Sequence, residues 1–194
     1  MNDRGRSSLA AWRWVVVTLA GAALAGCSGN DNGGATQHVV KPREPSAFQL
    51  QLVDRAGYDE VIARLKGKVV LVDCWATWCL PCVEQLPHTS ELFRRHRDAG
   101  LAVVTLSMDE PADKDEVRAI LLNNGAGSLS NLLSEYGGGS DAVDAFEVPG
   151  GALPHYKLYD RAGKLRRTFA LDPAAKTQFT PADVDRAVAE LLAE

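Results

Sequence analysis

Four cysteines in 194 residues are too few for a disulfide framework that would staple a small exported domain. No second pair of closely spaced ligands accompanies the one cysteine pair, and His38, His88, His96 and His155 are scattered singly. A structural zinc site needs four ligands, so this pattern speaks against one. Charge of one sign is also missing: 21 basic and 25 acidic side chains leave a net charge of −4. No basic stretch offers a nucleic-acid surface. The sequence has no internal repeat. Its long apolar stretch, Trp14 through Ala25, is too short for a comfortable membrane span.

What is present begins with that stretch. Arg4, Arg6 and Arg13 precede it, and Leu24-Ala25-Gly26-Cys27 closes it. A positive region, an apolar region and small residues together predict an export signal over residues 1–27. The four closing residues resemble a bacterial lipobox, which implies cleavage before Cys27 and a lipid on its sulfur. Ser28 after that cysteine favours the outer over the inner membrane by resemblance to enterobacterial sorting. Residues 28–46 are rich in Gly, Asn and Ser, then contain proline. They bury too little apolar surface to offset chain entropy, and so predict a flexible tether. Residues 47–194 remain as one domain with room for a proper core.

The most informative residues are Trp78-Cys79-Leu80-Pro81-Cys82, after the apolar run Val69-Val70-Leu71-Val72. Two thiols separated by two residues can close a small disulfide. A strand before them and an amphipathic segment after them put the first sulfur at a helix N-terminus. Unsatisfied N–H groups and the helix dipole favour a thiolate there. An ionisable thiol with a partner in reach is the minimum apparatus for disulfide exchange. A zinc knuckle and a purely structural bridge are the bland alternatives.

Residues Val72 through Cys82 closely resemble the strand and active-site turn of the thioredoxin superfamily. Cys74 stands where that family has Phe, and Leu80 where thioredoxins proper have Gly. Pro87 falls at the proline that kinks the family's active-site helix. Pro154, in Ala152-Leu153-Pro154-His155-Tyr156, matches the cis-proline opposite the cysteines. The longer middle region and export signal are similar to the TlpA/ResA type. The resemblance implies an α/β thioredoxin fold: a central mixed sheet, helices on both faces, and a mid-chain αβ insertion.

Local patterns agree with that arrangement. Phe48, Leu50 and Leu52 alternate with Gln49, Gln51 and Val53, predicting a half-buried strand. Tyr58, Val61, Ile62 and Leu65 mark a short helix stopped by Gly67. Lys68–Trp75 and Leu101–Met108 are apolar enough for interior strands. A helix follows Cys82 and ends at Gly100, and another is predicted over Asp109–Asn124. Leu129–Leu133 predicts a short strand, and Asp141–Phe146 a helical turn. Residues 154–159 and 165–170 predict a hairpin, and Thr180-Pro181-Ala182-Asp183 a helix start.

Position assigns Cys79 as the exposed attacking thiol and Cys82, a turn inside the helix, as the resolving one. Pro81 stiffens the turn. Leu80 adds no group to stabilise a thiolate, which favours a reductant. Trp78 is expected to pack beside the sulfurs and shield them, with Leu153 as another neighbour. Asp73 matches the family's buried acid, whose raised pKa suits proton exchange with the resolving thiol. The family's partner lysine is replaced by Thr105, so no charge-paired acid is expected. Gln85, with Glu84 beside it, stands where TlpA/ResA-type relatives carry glutamate. Cys74 lies on the strand face opposite Asp73 and reads as core.

The resemblance implies an extracytoplasmic, membrane-tethered thiol–disulfide oxidoreductase that reduces client disulfides. It implies no cofactor beyond the redox-active Cys79–Cys82 pair, and no metal. A membrane thiol reductase would supply electrons, and the protein would act as a monomer. The alternatives are a disulfide oxidase or isomerase, a client-binding module without turnover, and a redox sensor.

Overall fold

The computed structural model describes residues 48–172 and 174–194. The signal, lipobox and tether assigned to residues 1–46 lie outside the described residues. Strand β1 (Leu50–Val53) leads through Asp54 into helix α1 (Arg55–Arg64). The Asp54 carboxylate accepts from Gly57 N–H at 2.7 Å, satisfying a donor that the helix leaves unpaired. Helix α1 then buries Tyr58, Val61 and Ile62. The alternation read for β1 is corrected at its end: Val53 is buried and Leu52 is 52% exposed. This strand is at a sheet edge, and only Val53 of its four residues is buried.

Strands β2 (Val69–Trp75) and β3 (Leu101–Ser107) are buried at all seven positions each. Their apolar runs are continuous because helices cover both faces. Between them runs helix α2 (Leu80–His96), which contains Pro87 and is followed by Gly100 at φ 99°. Proline lacks the N–H that would continue the helical ladder, and the left-handed turn needs glycine.

Helix α3 spans Lys114–Asn123, so the helix expected from Asp109 starts five residues later. Pro111 opens a separate 3₁₀ turn, and the Asp109 carboxylate is engaged elsewhere. Strand β4 (Ser130–Ser134), helix α4 (Ser140–Ala145), strands β5 (His155–Tyr159) and β6 (Leu165–Ala170), and helix α5 (Pro181–Leu192) complete the order. Thr180 N–H and its hydroxyl both donate to Asp183 at the start of α5, at 2.8 and 2.7 Å.

The six strands are ordered β1-β4-β3-β2-β5-β6. The first four are mutually parallel, and β5 and β6 add antiparallel. The inserted strand β4 therefore lies between β1 and β3, a place no local pattern announces. Register puts Asp73 beside Thr105 and Tyr156, and Cys74 beside His155. Alternation then gives the sheet two distinct faces. Asp73, Thr105 and Tyr156 share the face under α2 and α5. Cys74, His155, Lys157 and Tyr159 share the face under α1, where the Tyr58 and Tyr159 hydroxyls are 3.0 Å apart. Phe146, just past α4, packs on Tyr58 with ring centroids 5.7 Å apart. Among the described residues, no helix is long and apolar enough to cross a membrane.

Candidate active site

Cys79 and Cys82 are joined by a disulfide, with Cα atoms 5.3 Å apart. Cys79 is the N-cap of α2, and no side chain bonds into that cap. Its carbonyl accepts from Cys82 N–H and Val83 N–H, which seats the ring of atoms on the first helical turn. Pro81 occupies the first turn, where a missing N–H costs nothing. Cys79 is 6% exposed and Cys82 1%. The bridged Cys79 is thus less open than its sequence position implies, though more open than its partner.

The turn ahead of the cysteines is held by a residue that sequence reasoning placed in a helix. Asp109 lies buried after β3. It accepts Thr77 N–H at 3.0 and 3.1 Å, and the Thr77 hydroxyl at 2.7 Å. Ser107 donates to the same carboxylate at 2.6 Å. Four donor contacts satisfy a buried charge that would otherwise be costly. Its place directly after an apolar strand was the available signal.

Trp78 is 64% exposed and Leu80 is 67% exposed, next to a bridge that is itself buried. Gly138 approaches so closely that a Cβ there would sit 2.5 Å from Met108 O and 3.6 Å from Trp78 Cζ2. The loop before α4 supports one edge of the indole and leaves the rest uncovered. Trp78 and Leu80 therefore form an apolar rim around the bridge. Trp75, by contrast, is fully buried.

The Leu153–Pro154 peptide bond is cis, as the resemblance implied. Pro154 and Pro81 line one groove of about 150 Å³, together with Gln85, Thr89, Tyr156 and Phe179. The groove joins α2, the start of β5 and the start of α5. Gln85 contributes an uncharged amide to it. His88 also lines it, with Nε2 2.8 Å from Asp185 Oδ1.

Asp73 is buried beneath α2, and burial pushes its carboxyl up to about 7. The Thr89 hydroxyl, donating to Oδ2 at 2.9 Å, opposes that rise. Thr105 lies beside it in register but gives its hydroxyl to Asn131. Among the described residues, no cation pairs with Asp73. Cys74 is fully buried on the other face, and burial pushes its thiol up to about 12. It is not among the residues gathered at the bridge.

Two buried groups on that second face carried no sequence signal. Lys157 is buried and donates its ammonium to Phe146 O at the end of α4. Burial holds its pKa below the usual lysine range. His155 follows Pro154 directly, and burial pulls it down to about 4. Neither ring nitrogen of His155 has a partner among the described residues.

The AhpC/TSA family matches residues 45–176. A thiol-disulfide oxidoreductase ResA of Bacillus cereus is 34% identical over 122 residues, covering 59% of this chain and 61% of that protein. A ResA of Bacillus anthracis is 26% identical with the same coverage. The chain thus spans less than two thirds of the curated relatives' length. The thioredoxin domain of a thiol-disulfide oxidoreductase from Bacteroides vulgatus superposes with a TM-score of 0.52 at 20% identity, over 67% of this chain and 83% of that one. A secreted Mycobacterium tuberculosis disulfide oxidoreductase, described as homologous to E. coli DsbE, gives 0.51 at 20% identity, over 66% and 86%. At such identity these two likenesses establish the thioredoxin-like α/β fold. With its match spanning more than half of the sequence, the chain belongs to the AhpC/TSA family, within the thioredoxin superfamily.

Proposed function

We propose that the chain is an extracytoplasmic thiol–disulfide oxidoreductase that reduces disulfides in client proteins through Cys79 and Cys82. The observation that carries this reading is the Cys79–Cys82 bridge at the N-terminus of α2, whose Pro81 shares a groove with Pro154. In the reduced protein, the Cys79 thiolate attacks a client disulfide and releases one client sulfur as thiolate. Cys82 then loses its proton to Asp73 and attacks Cys79, releasing the second client sulfur. One protein disulfide forms as one client disulfide is reduced, so two electrons pass to the client.

The relatives named thiol-disulfide oxidoreductase support the activity, and the exposed Trp78 and Leu80 rim suits contact with a protein client. Leu80 supplies no donor to stabilise the reduced thiolate, which supports the reductase direction over oxidase or isomerase work. The Cys79–Cys82 pair needs no cofactor. We assign residues 1–27 to an export signal, Cys27 to a lipid anchor, and residues 28–46 to a tether at the outer membrane. A membrane thiol reductase is the fitting electron donor, and the working unit is a monomer.

Insulin reduction by the purified protein, with the reduction potential of Cys79–Cys82, tests the reading. Turnover with a potential below about −200 mV is expected. A potential near about −120 mV would make it an oxidase. Absence of turnover would leave a binding or sensing module.

A further inference from the structure

Thr89 lies seven residues past Cys82 on the buried face of α2. Seven residues are two helical turns, so both side chains leave the same side of the helix. The Thr89 hydroxyl reaches across to β2 and donates to Asp73 Oδ2 at 2.9 Å. Asp73 Oδ1 is buried with no hydrogen-bond partner among the described residues. Thr89 also lines the groove between α2 and α5, with Pro81, Pro154 and Tyr156. One residue therefore bonds to the buried acid and borders the groove.

The surroundings give Asp73 few other partners. From β3 it meets Thr105, whose hydroxyl is committed to Asn131. From β5 the titratable neighbour is Tyr156, held neutral by burial. On β2 it is Cys74, on the opposite face and also neutral. The α2 side presents Thr89, the bridged Cys82 and, along the groove, His88 bonded to Asp185 of α5. Pro181 and Val184 are the α5 residues that line the groove beside them.

We propose that Thr89 is a positioning residue of the exchange site, holding the Asp73 carboxyl and passing protons between it and the groove. This rests on the reading of Asp73 as the acid that serves Cys82. When Cys82 attacks the mixed disulfide, its proton moves to Asp73. The Cys79–Cys82 bond forms, and the bond from Cys79 to the client breaks. Protonated Asp73 then donates from Oδ2 to Thr89 Oγ, whose own hydrogen turns toward water in the groove. Solvent or the departing client thiolate takes the proton. A hydroxyl can both donate and accept, and the similarly shaped valine side chain can do neither.

The test uses the purified full-length chain with Thr89→Val, Thr89→Ser and Asp73→Asn. Infrared titration reads the Asp73 carboxyl, and stopped-flow reads the pH profile of mixed-disulfide resolution. In Thr89→Val the Asp73 midpoint is expected to rise by about one pH unit, from the loss of one charge-assisted hydrogen bond. The resolving rate at pH 7 should fall roughly three- to tenfold, following the smaller carboxylate fraction. Thr89→Ser should restore both. Should Thr89→Val fold poorly, Thr89→Ala removes the same donor and is read the same way. An unchanged midpoint in the valine or alanine variant, or a serine variant no better than valine, overturns the proposal. Asp73→Asn separates the two levels. If it alters the profile while Thr89→Val does not, the Thr89 role alone is wrong. If Asp73→Asn leaves the profile unaltered, the acid's role fails and takes this inference with it.

Discussion

Asp109 grips Thr77 from two sides, accepting its backbone N–H at 3.0 Å and its hydroxyl at 2.7 Å. The residues are 32 apart in sequence, yet this contact anchors the turn two residues before Cys79. Asp109→Ala should leave the part-buried Thr77 N–H without this partner. We expect a loss of roughly 2–4 kcal/mol in urea unfolding, since several hydrogen bonds to a charged group go at once. Insulin reduction should fall with it. A variant as stable as the parent would show that the turn does not depend on this carboxylate.

The pH dependence of stability carries a sign set by Asp73. Its folded pKa of about 7 lies above the unfolded carboxyl value of about 3.9. Any advantage it confers is complete below about pH 4 and is lost as pH rises to 7. His155 works oppositely: with a folded value of about 4, its contribution is complete above about pH 6.5 and is lost as pH falls through 4. Asp73→Asn should therefore stabilise the fold at pH 8 by roughly 2–4 kcal/mol and change little at pH 4. Urea midpoints at both pH values check this. Equal gains at both would contradict it.

In the reduced protein Cys79 should be alkylated before Cys82. It caps α2, where the helix end favours thiolate, and it is the more exposed of the two. Brief iodoacetamide treatment followed by peptide mass spectrometry reads the order. Faster labelling of Cys82 would exchange their roles.

Lys157 is expected to act as a buried cap for α4. Lys157→Ala removes the donor to Phe146 O and the aliphatic stem packed in the core. A destabilisation of roughly 2–4 kcal/mol should follow, combining the lost partner and the cavity. Hydrogen exchange should quicken first over residues 140–148. Unchanged protection there would remove the capping role.

The anchor is tested by Cys27→Ala. Lipid labelling with palmitate and detergent partitioning should both be lost, leaving an unlipidated precursor or soluble chain. Undiminished labelling in the variant would refute the lipobox assignment.

Short-range pattern determined much of this protein. The apolar run Val69–Trp75, the pair Cys79 and Cys82 at a helix start, the 154–170 hairpin and the Thr180–Asp183 start of α5 are all written within a few neighbouring residues. Periodicity, turn chemistry and capping act over that distance, so they can be read from sequence. The resemblance carried by those residues extended the reading to Pro154 and to the fold. Tertiary structure alone decided what lies far apart in the chain. It placed β4 between β1 and β3, brought Thr89 rather than a β3 side chain to Asp73, and turned Asp109 from an expected helix start into the clamp on Thr77. It also buried Lys157 and His155 on the second face and left Trp78 exposed beside the bridge. Each of these depends on which elements pack together, because a buried polar group takes its partner from whatever side chain or carbonyl the packing brings within hydrogen-bond reach.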